Sequence, residues 1–217
     1  MIRRGEDYDC LSHWLGGGEV SFRNIALLFI SVGMVSLLVG CASFREGNVP
    51  RARSASQSAV AEGKTISVEV YGAAILNGKI YQAHPKTMKT WRRQTIKAYE
   101  DSGIFSVVRE DADGADLEAE VMIVDKADPN TFFAFITGLT LYVIPSKATD
   151  EFTVQTTIRD RGGNTLGTFE RSETVSLWQQ LLMILAMPFN WPSSVAKEAL
   201  YDLNRATIND AQGEGIL

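Results

Sequence analysis

The 217-residue chain contains few of the residues from which most active sites and covalent cross-links are built. It has two cysteines, Cys10 and Cys41, and two histidines, His13 and His84. Two cysteines cannot form the disulfide framework of a small secreted domain. A Cys/His metal site or a histidine-dependent hydrolase would have to be built around one or two imidazoles. The sequence therefore predicts no catalytic residue, no metal site and no cofactor, and we expect the protein not to be an enzyme.

Excess positive charge and long apolar runs are also missing. The chain has 21 basic and 26 acidic residues, so its net charge is −5. This charge gives no basic field of the kind that binds nucleic acid. The longest apolar run, residues 25–39, has 15 residues, whereas a membrane-spanning helix needs about 20. The composition therefore excludes a polytopic membrane protein and predicts no nucleic-acid partner.

This apolar run lies where an export signal would place it. Arg23 precedes the run, and the small residues 40–43 follow it. A basic start, a short apolar stretch and small residues at its end are typical of a signal peptide. We therefore predict that residues 1–40 form a signal peptide. Residues 1–19 are polar and would make the leader unusually long, so we expect translation to begin near Val20 instead.

The end of the run carries a more specific pattern. The residues Leu38-Val39-Gly40-Cys41 resemble the lipobox of bacterial lipoproteins. The resemblance implies that a lipid is attached to the Cys41 thiol, that cleavage makes Cys41 the first residue of the mature chain, and that the membrane is bound through this lipid. Because Ala42 and not aspartate follows the cysteine, the resemblance also implies the outer membrane, on its periplasmic face, for a Gram-negative source.

The residues after Cys41 predict a linker and then a folded domain. Residues 43–63 have almost no large apolar side chains and no periodicity, which is typical of a flexible segment. We therefore predict a lipidated N-terminus and tether over residues 41–63, in which Arg45, Arg51 and Arg53 are solvated. A compact domain is expected over residues 64–217, and this domain contains His84, the only histidine after the leader.

Periodicity along the domain predicts both strands and helices. Alternating apolar residues predict strands at 66–70, 104–109, 117–123, 152–158 and 165–174. Helical spacing predicts helices from Pro85 to near Gly103, over 177–187 and over 193–211. Strands grouped into hairpins, with helices at the ends, favour an α+β fold. We expect a mainly antiparallel sheet of about five strands, with helices on one face, in a single domain.

Two apolar stretches of this domain are unusual. Residues 131–145 and 177–192 contain no Asp, Glu, Lys or Arg, and each is too short to span a membrane as a helix. One interpretation, which we favour, is that they pack on each other and on the sheet, because soluble domains rarely expose large apolar patches. The other is an exposed contact surface for a membrane or a partner. Its candidate residues are Phe132, Phe133, Phe135, Gly138, Trp178, Phe189 and Trp191.

Acidic residues form no convincing site in the sequence. Residues 109–120 have part of the spacing of a calcium loop, but Arg109 stands where the first carboxylate ligand is needed. We therefore expect an acidic turn between strands. Four carboxylates, those of Asp150, Glu151, Asp160 and Glu170, could serve acid–base catalysis, but nothing in their spacing selects a pair.

Two functional hypotheses follow from these observations. The first is a lipid-anchored protein of the cell envelope that acts as a non-enzymatic scaffold, assembly factor or subunit of an envelope complex, with a protein partner there. The alternative is an oligomeric pore or ring component, similar to lipoproteins of the curli-export type, whose apolar segments insert in the membrane.

Overall fold

A computed structural model describes residues 40–52, 63–111 and 113–217 of the chain. The predicted signal peptide, except for Gly40, and residues 53–62 of the predicted tether lie outside this part. The described residues belong to one compact unit.

The unit is built on a mixed sheet of seven strands in the order β1-β7-β6-β5-β2-β3, with β4 also paired to β2. β2 runs parallel to β4 and β5, and the other four pairings are antiparallel. The strands are β1 (Cys41–Arg45), β2 (Thr65–Leu76), β3 (Lys79–Gln82), β4 (Val107–Glu110), β5 (Leu117–Pro129), β6 (Ser146–Asp160) and β7 (Thr165–Gln179). The predicted α+β single domain is confirmed, whereas the strand number and the antiparallel pairing are correct only in part.

The described helices are α1 (Pro85–Glu100), α2 (Thr131–Leu139) and α3 (Pro192–Gly213), together with a 3₁₀ helix (Leu181–Leu185). α1 begins with a proline, and the His84 side chain caps it by accepting a hydrogen bond from the Lys86 backbone N–H. The buried side chains of α1 recur at helical spacing and include Trp91 and Tyr99. α1 and α3 contact each other and the sheet.

α1 also explains why the sheet is mixed. A helix that follows a hairpin can return the chain across the sheet, so that the next strands run in the same direction as the first. β4 and β5 therefore enter parallel to β2. The resulting core lies between the sheet and the helices α1 and α3, and its members include Ile66, Val121, Val154, Leu203 and Ile208.

The helix predicted over residues 177–187 is wrong. β7 continues to Gln179, and only Leu181–Leu185 forms a short 3₁₀ helix. Residues 177–179 pair with β1 on one side and β6 on the other. Hydrogen bonding on both sides therefore outweighs the helix propensity of this segment.

The structure also differs from the predicted flexible tether at residues 41–52. Residues 41–45 form β1, antiparallel to the end of β7. Arg45, expected in solvent, has a side chain that is only 9% exposed and is paired with Glu173 and Asp202. These carboxylates lie far along the chain, so local composition could not reveal that this segment is held against the domain.

Candidate functional site

The two uncharged stretches meet at one end of the sheet. α2 contacts β6, and the Leu181 backbone N–H donates a hydrogen bond to the Tyr142 carbonyl at 3.0 Å. The Asn130 side chain caps α2 by accepting a hydrogen bond from the Phe133 N–H. We call residues 131–145 and 181–191 the apolar end.

Most large side chains of the apolar end are exposed. Phe189 is 87% exposed, Leu185 76% and Phe132 67%. α2 has apolar side chains on every side, but Thr137 is its only buried residue, because only one face of a helix can contact the sheet. The expectation that these stretches mostly cover each other is therefore wrong. Within the described ranges, no helix combines the length and apolar content that crossing a membrane requires.

The candidate contact residues do not all lie in the same environment. The three phenylalanines of α2 and Gly138 are exposed, as are Phe189 and Trp191. Trp178 differs, because it is half-buried in β7 and the Lys147 ammonium lies 5.7 Å from its ring centre.

The candidates chosen from the sequence were aromatic residues and Gly138, so the exposed aliphatic residues of the same surface were missed. The lack of charged residues in both stretches could have indicated them, because it concerns aliphatic and aromatic side chains equally. They are Leu139, Leu141, Val143, Ile144, Leu182 and Leu185.

Cys41 lies beside the apolar end. It is the first residue of β1 and pairs with Gln179 in β7. The Gly40 carbonyl accepts a hydrogen bond from the Gln180 N–H at 3.2 Å, and the Ser43 N–H donates to the Asn190 carbonyl at 3.0 Å. The half-buried position of Cys41 raises the pKa of its thiol. The lipobox cysteine and the exposed apolar side chains thus share one end of the domain.

A buried ionic cluster fixes the other end of β1. The Arg45 guanidinium donates to Glu173 at 3.0 Å and also pairs closely with Asp202. The backbone joins this cluster, since the Val49 N–H donates to Glu173 and the Ala52 N–H donates to Asp202. Burial by itself would lower the pKa of Arg45, but its hydrogen bonds to the two carboxylates outweigh this effect and raise the pKa. Residues 45–52 are therefore attached to the domain by charge-assisted hydrogen bonds.

Two further carboxylates lie near this cluster on the same face of the sheet. Asp125 in β5 is opposite Phe152 in β6, and Asp150 lies two residues before Phe152 on the same face. Burial raises the pKa of Asp125 to about 6, and the nearby Asp150 charge adds to the effect. Burial also raises the pKa of Asp150. Asp125 and Glu173 are both register partners of Phe152, so the two carboxylates lie on either side of this residue in the sheet.

Asp125 was not among the candidates chosen from the sequence, although the alternation of buried residues in β5 indicates its position. Asp125 follows the buried residues Val121 and Ile123 at two-residue spacing, so it continues the buried face of β5. Its Oδ1 atom is buried and has no hydrogen-bond partner among the described atoms.

The other acidic candidates are separate from one another. Glu120 pairs with Arg159 at 2.7 Å, Asp160 caps the β6–β7 turn through Asn164, and Glu151 lies 3.7 Å from Lys126. Arg109 lies in β4, so residues 109–120 run through two strands instead of forming one loop. The described residues contain no group of three or more side chains placed to hold a metal.

No protein-family model and no curated protein sequence matches the chain. Solved structures that are similar to this chain include a dodecameric PelC variant from Paraburkholderia phytofirmans, with 13% identity over 77% of this chain and 95% of that chain and a TM-score of 0.38. A minor lipoprotein from Acinetobacter baumannii has 16% identity over 70% of this chain and 91% of that chain, with a TM-score of 0.40. A homolog of the neuraminyllactose-binding hemagglutinin from Helicobacter pylori has 8% identity over 78% of this chain and 91% of that chain, with a TM-score of 0.38. Likeness at this level does not extend to function.

Proposed function

We propose that this protein is a non-enzymatic component of the bacterial cell envelope, anchored by a lipid on Cys41. The observation that carries the proposal is the position of Cys41, which begins β1 directly beside the exposed apolar end. A lipid on this residue and the apolar side chains would lie on the same side of the domain. The residues Ala42 and Ser43 after the cysteine support the periplasmic face of the outer membrane as its location.

The attachment of β1 favours a function close to the membrane surface. A flexible tether of about 20 residues would let the domain move roughly 25 Å from its anchor. Here the chain enters the sheet at Cys41 itself, and the Arg45 cluster holds the following residues. The anchor would therefore keep the domain beside the bilayer, where it acts as a scaffold, assembly factor or subunit of an envelope complex with a protein partner.

The anchor is tested by changing each cysteine of the full chain in turn. We expect Cys41→Ser to remain an unprocessed precursor that incorporates no fatty-acid probe, because only a thiol can form the thioether. Cys10→Ser, made in a chain whose synthesis is set to start at Met1, is the matched control, since it also removes one thiol but should leave labelling and cleavage unchanged. A fatty-acid label on Cys41→Ser would refute the lipoprotein assignment, and fractionation with the inner membrane would refute the proposed location.

Exposure of the apolar end favours one alternative, an oligomeric pore or ring component whose apolar segments insert in the membrane. Size-exclusion chromatography with light scattering in detergent separates the two functions. A ring of many subunits supports the pore component, whereas a monomer or dimer supports the anchored scaffold.

A further inference from the structure

We infer that the apolar end inserts shallowly into the same lipid leaflet that holds the Cys41 anchor. This inference rests on the proposed lipid attachment and adds a second, non-covalent membrane contact. The domain would then have a fixed orientation, with the apolar end in the membrane and the β6–β7 turn at the opposite end of the sheet.

The first argument is where the exposed apolar side chains are concentrated. Eleven of the eighteen exposed large apolar residues of the described chain belong to the apolar end. No charged residue lies within this surface. A large apolar patch on a soluble domain marks a contact surface, because its exposure to water is unfavourable.

The second argument identifies the lipid leaflet as the occupant. β1 starts at the apolar end and runs away from it at 3.2–3.4 Å per residue, so Arg45 lies about 13 Å further into the domain. Acyl chains on the fixed Cys41 would enter the bilayer beside the apolar end and bring it to the membrane surface. Trp191 and Phe189 suit this environment, since tryptophan is enriched where hydrocarbon meets the polar headgroups.

The third argument limits the depth of insertion. α2 has nine residues, which corresponds to a length of about 13.5 Å, so it is too short to cross a hydrocarbon core of about 30 Å. The Lys147–Glu46 ion pair, with an N–O distance of 2.7 Å, lies just behind the apolar end. These charges would stay among the headgroups, and Trp178 beside Lys147 would lie at the same depth. Phe189 would lie deeper than Trp178.

The test uses the lipidated protein, purified from membranes and reconstituted in phosphatidylethanolamine–phosphatidylglycerol vesicles. In the processed chain, Cys41 is the only cysteine and its thiol is occupied, so Phe189→Cys introduces the only free thiol. An environment-sensitive fluorophore on this thiol reports lipid contact through quenching by spin-labelled lipids. Leu166→Cys is the control, since Leu166 is also an exposed apolar residue but lies at the opposite end of β7.

We expect quenching at position 189 to exceed that at position 166 severalfold, and Leu185→Cys should behave like Phe189→Cys. Equal quenching at positions 189 and 166 would overturn the inference. Self-quenching between labels at position 189 without lipid quenching would also overturn it, because the surface would then lie between copies of the chain.

Mass spectrometry of the same samples separates this inference from the proposed function. Lipid on Cys41 without quenching at position 189 would leave the anchor intact and refute the membrane contact. If Cys41 carries no lipid, the labels are placed in a Cys41→Ser background and mixed with the same vesicles. Quenching at position 189 would then support the contact, and its absence would refute it.

Discussion

Arg45 is the only charged residue of the first strand, and we expect its buried ion pairs to contribute strongly to stability. Its guanidinium pairs with Glu173, which is 1% exposed, and Asp202, which is 6% exposed. Arg45→Met keeps most of the aliphatic stem but leaves two buried carboxylates without a counter-charge. Loss of one partner of a buried ion pair costs about 3–5 kcal/mol, so we expect the free energy of unfolding to fall by about 4 kcal/mol.

Two further variants separate the effect of charge from that of packing. Glu173→Gln keeps an oxygen for Arg45 and leaves one carboxylate for one guanidinium, but its NH2 group would replace the oxygen that accepts from the Val49 N–H, so we expect a loss of about 1–3 kcal/mol, smaller than that of Arg45→Met. The double variant Arg45→Met/Glu173→Met replaces one ion pair by apolar side chains and leaves only Asp202 without its counter-charge, whereas Arg45→Met leaves two such carboxylates. The double variant should therefore be more stable than Arg45→Met alone.

Urea unfolding of the detergent-solubilised protein, followed by circular dichroism, measures these differences. The midpoint should shift while the slope stays the same, since a similar surface is exposed on unfolding. An Arg45→Met protein within about 1 kcal/mol of the wild type would refute the reasoning. So would a Glu173→Gln variant that is as unstable as Arg45→Met.

Further predictions concern two glycines, Asp125 and Phe189. A Cβ atom at Gly47 would lie 2.6 Å from the Glu173 carboxylate, so Gly47→Ala should lower the free energy of unfolding by about 1–3 kcal/mol. A Cβ atom at Gly138 would meet open space, so Gly138→Ala should raise the free energy of unfolding by about 0.5–1 kcal/mol. If urea unfolding shows that Gly47→Ala is the more stable of the two variants, the close approach of Gly47 to Glu173 is contradicted. Asp125 has a pKa of about 6 in the folded protein, above its ordinary 3.8, so its contribution to stability is full below about pH 4 and is lost as the pH rises through 6. Asp125→Asn should therefore be neutral at about pH 4 and raise the free energy of unfolding by up to about 2 kcal/mol at neutral pH, a difference that urea titrations at both pH values would show or disprove. Phe189→Asp should change stability by no more than about 0.5 kcal/mol, because the side chain is 87% exposed, and a large drop in the melting temperature would show that it is a core residue.

Helices, turns and strands that are determined by neighbouring residues in the sequence could be predicted. α1 begins at Pro85 as expected, and Gly103, with a φ of 68°, follows its end. The Asn77-Gly78 turn joins β2 and β3 through two residues of positive φ, which asparagine and glycine tolerate. The alternating residues of β5 lie on its buried face for the same reason, since side-chain direction in a strand depends only on position.

Features that depend on distant partners could not be predicted in this way. Arg45 pairs with Glu173 and Asp202, which lie 128 and 157 residues further along the chain. The sequence near Arg45 therefore shows only a polar segment and does not indicate these ion pairs. Residues 177–179 have helix-forming neighbours, but their conformation is set by strands on both sides.

The exposure of the two apolar stretches could not be predicted either, because their composition is the same whether the side chains are buried or exposed to solvent. Coverage depends on the sheet area that remains after α1 and α3 have packed on it. α2 contacts the sheet mainly through β6, which leaves most of its side chains uncovered.

The attachment of β1 links the anchor to the apolar end and leads to a last prediction. A lipid on Cys41 would hold the apolar end at a high effective concentration beside the bilayer, and this effect depends on how rigidly the intervening chain is held. Arg45→Met should release residues 41–52 and thus allow the apolar end to leave the bilayer while Cys41 stays lipidated. In the reconstituted vesicles, lipid quenching at position 189 should then fall towards its value at position 166, whereas Glu173→Gln should retain most of it. Full quenching in an Arg45→Met protein that has lost stability as predicted would show that the apolar end binds lipid without help from the first strand.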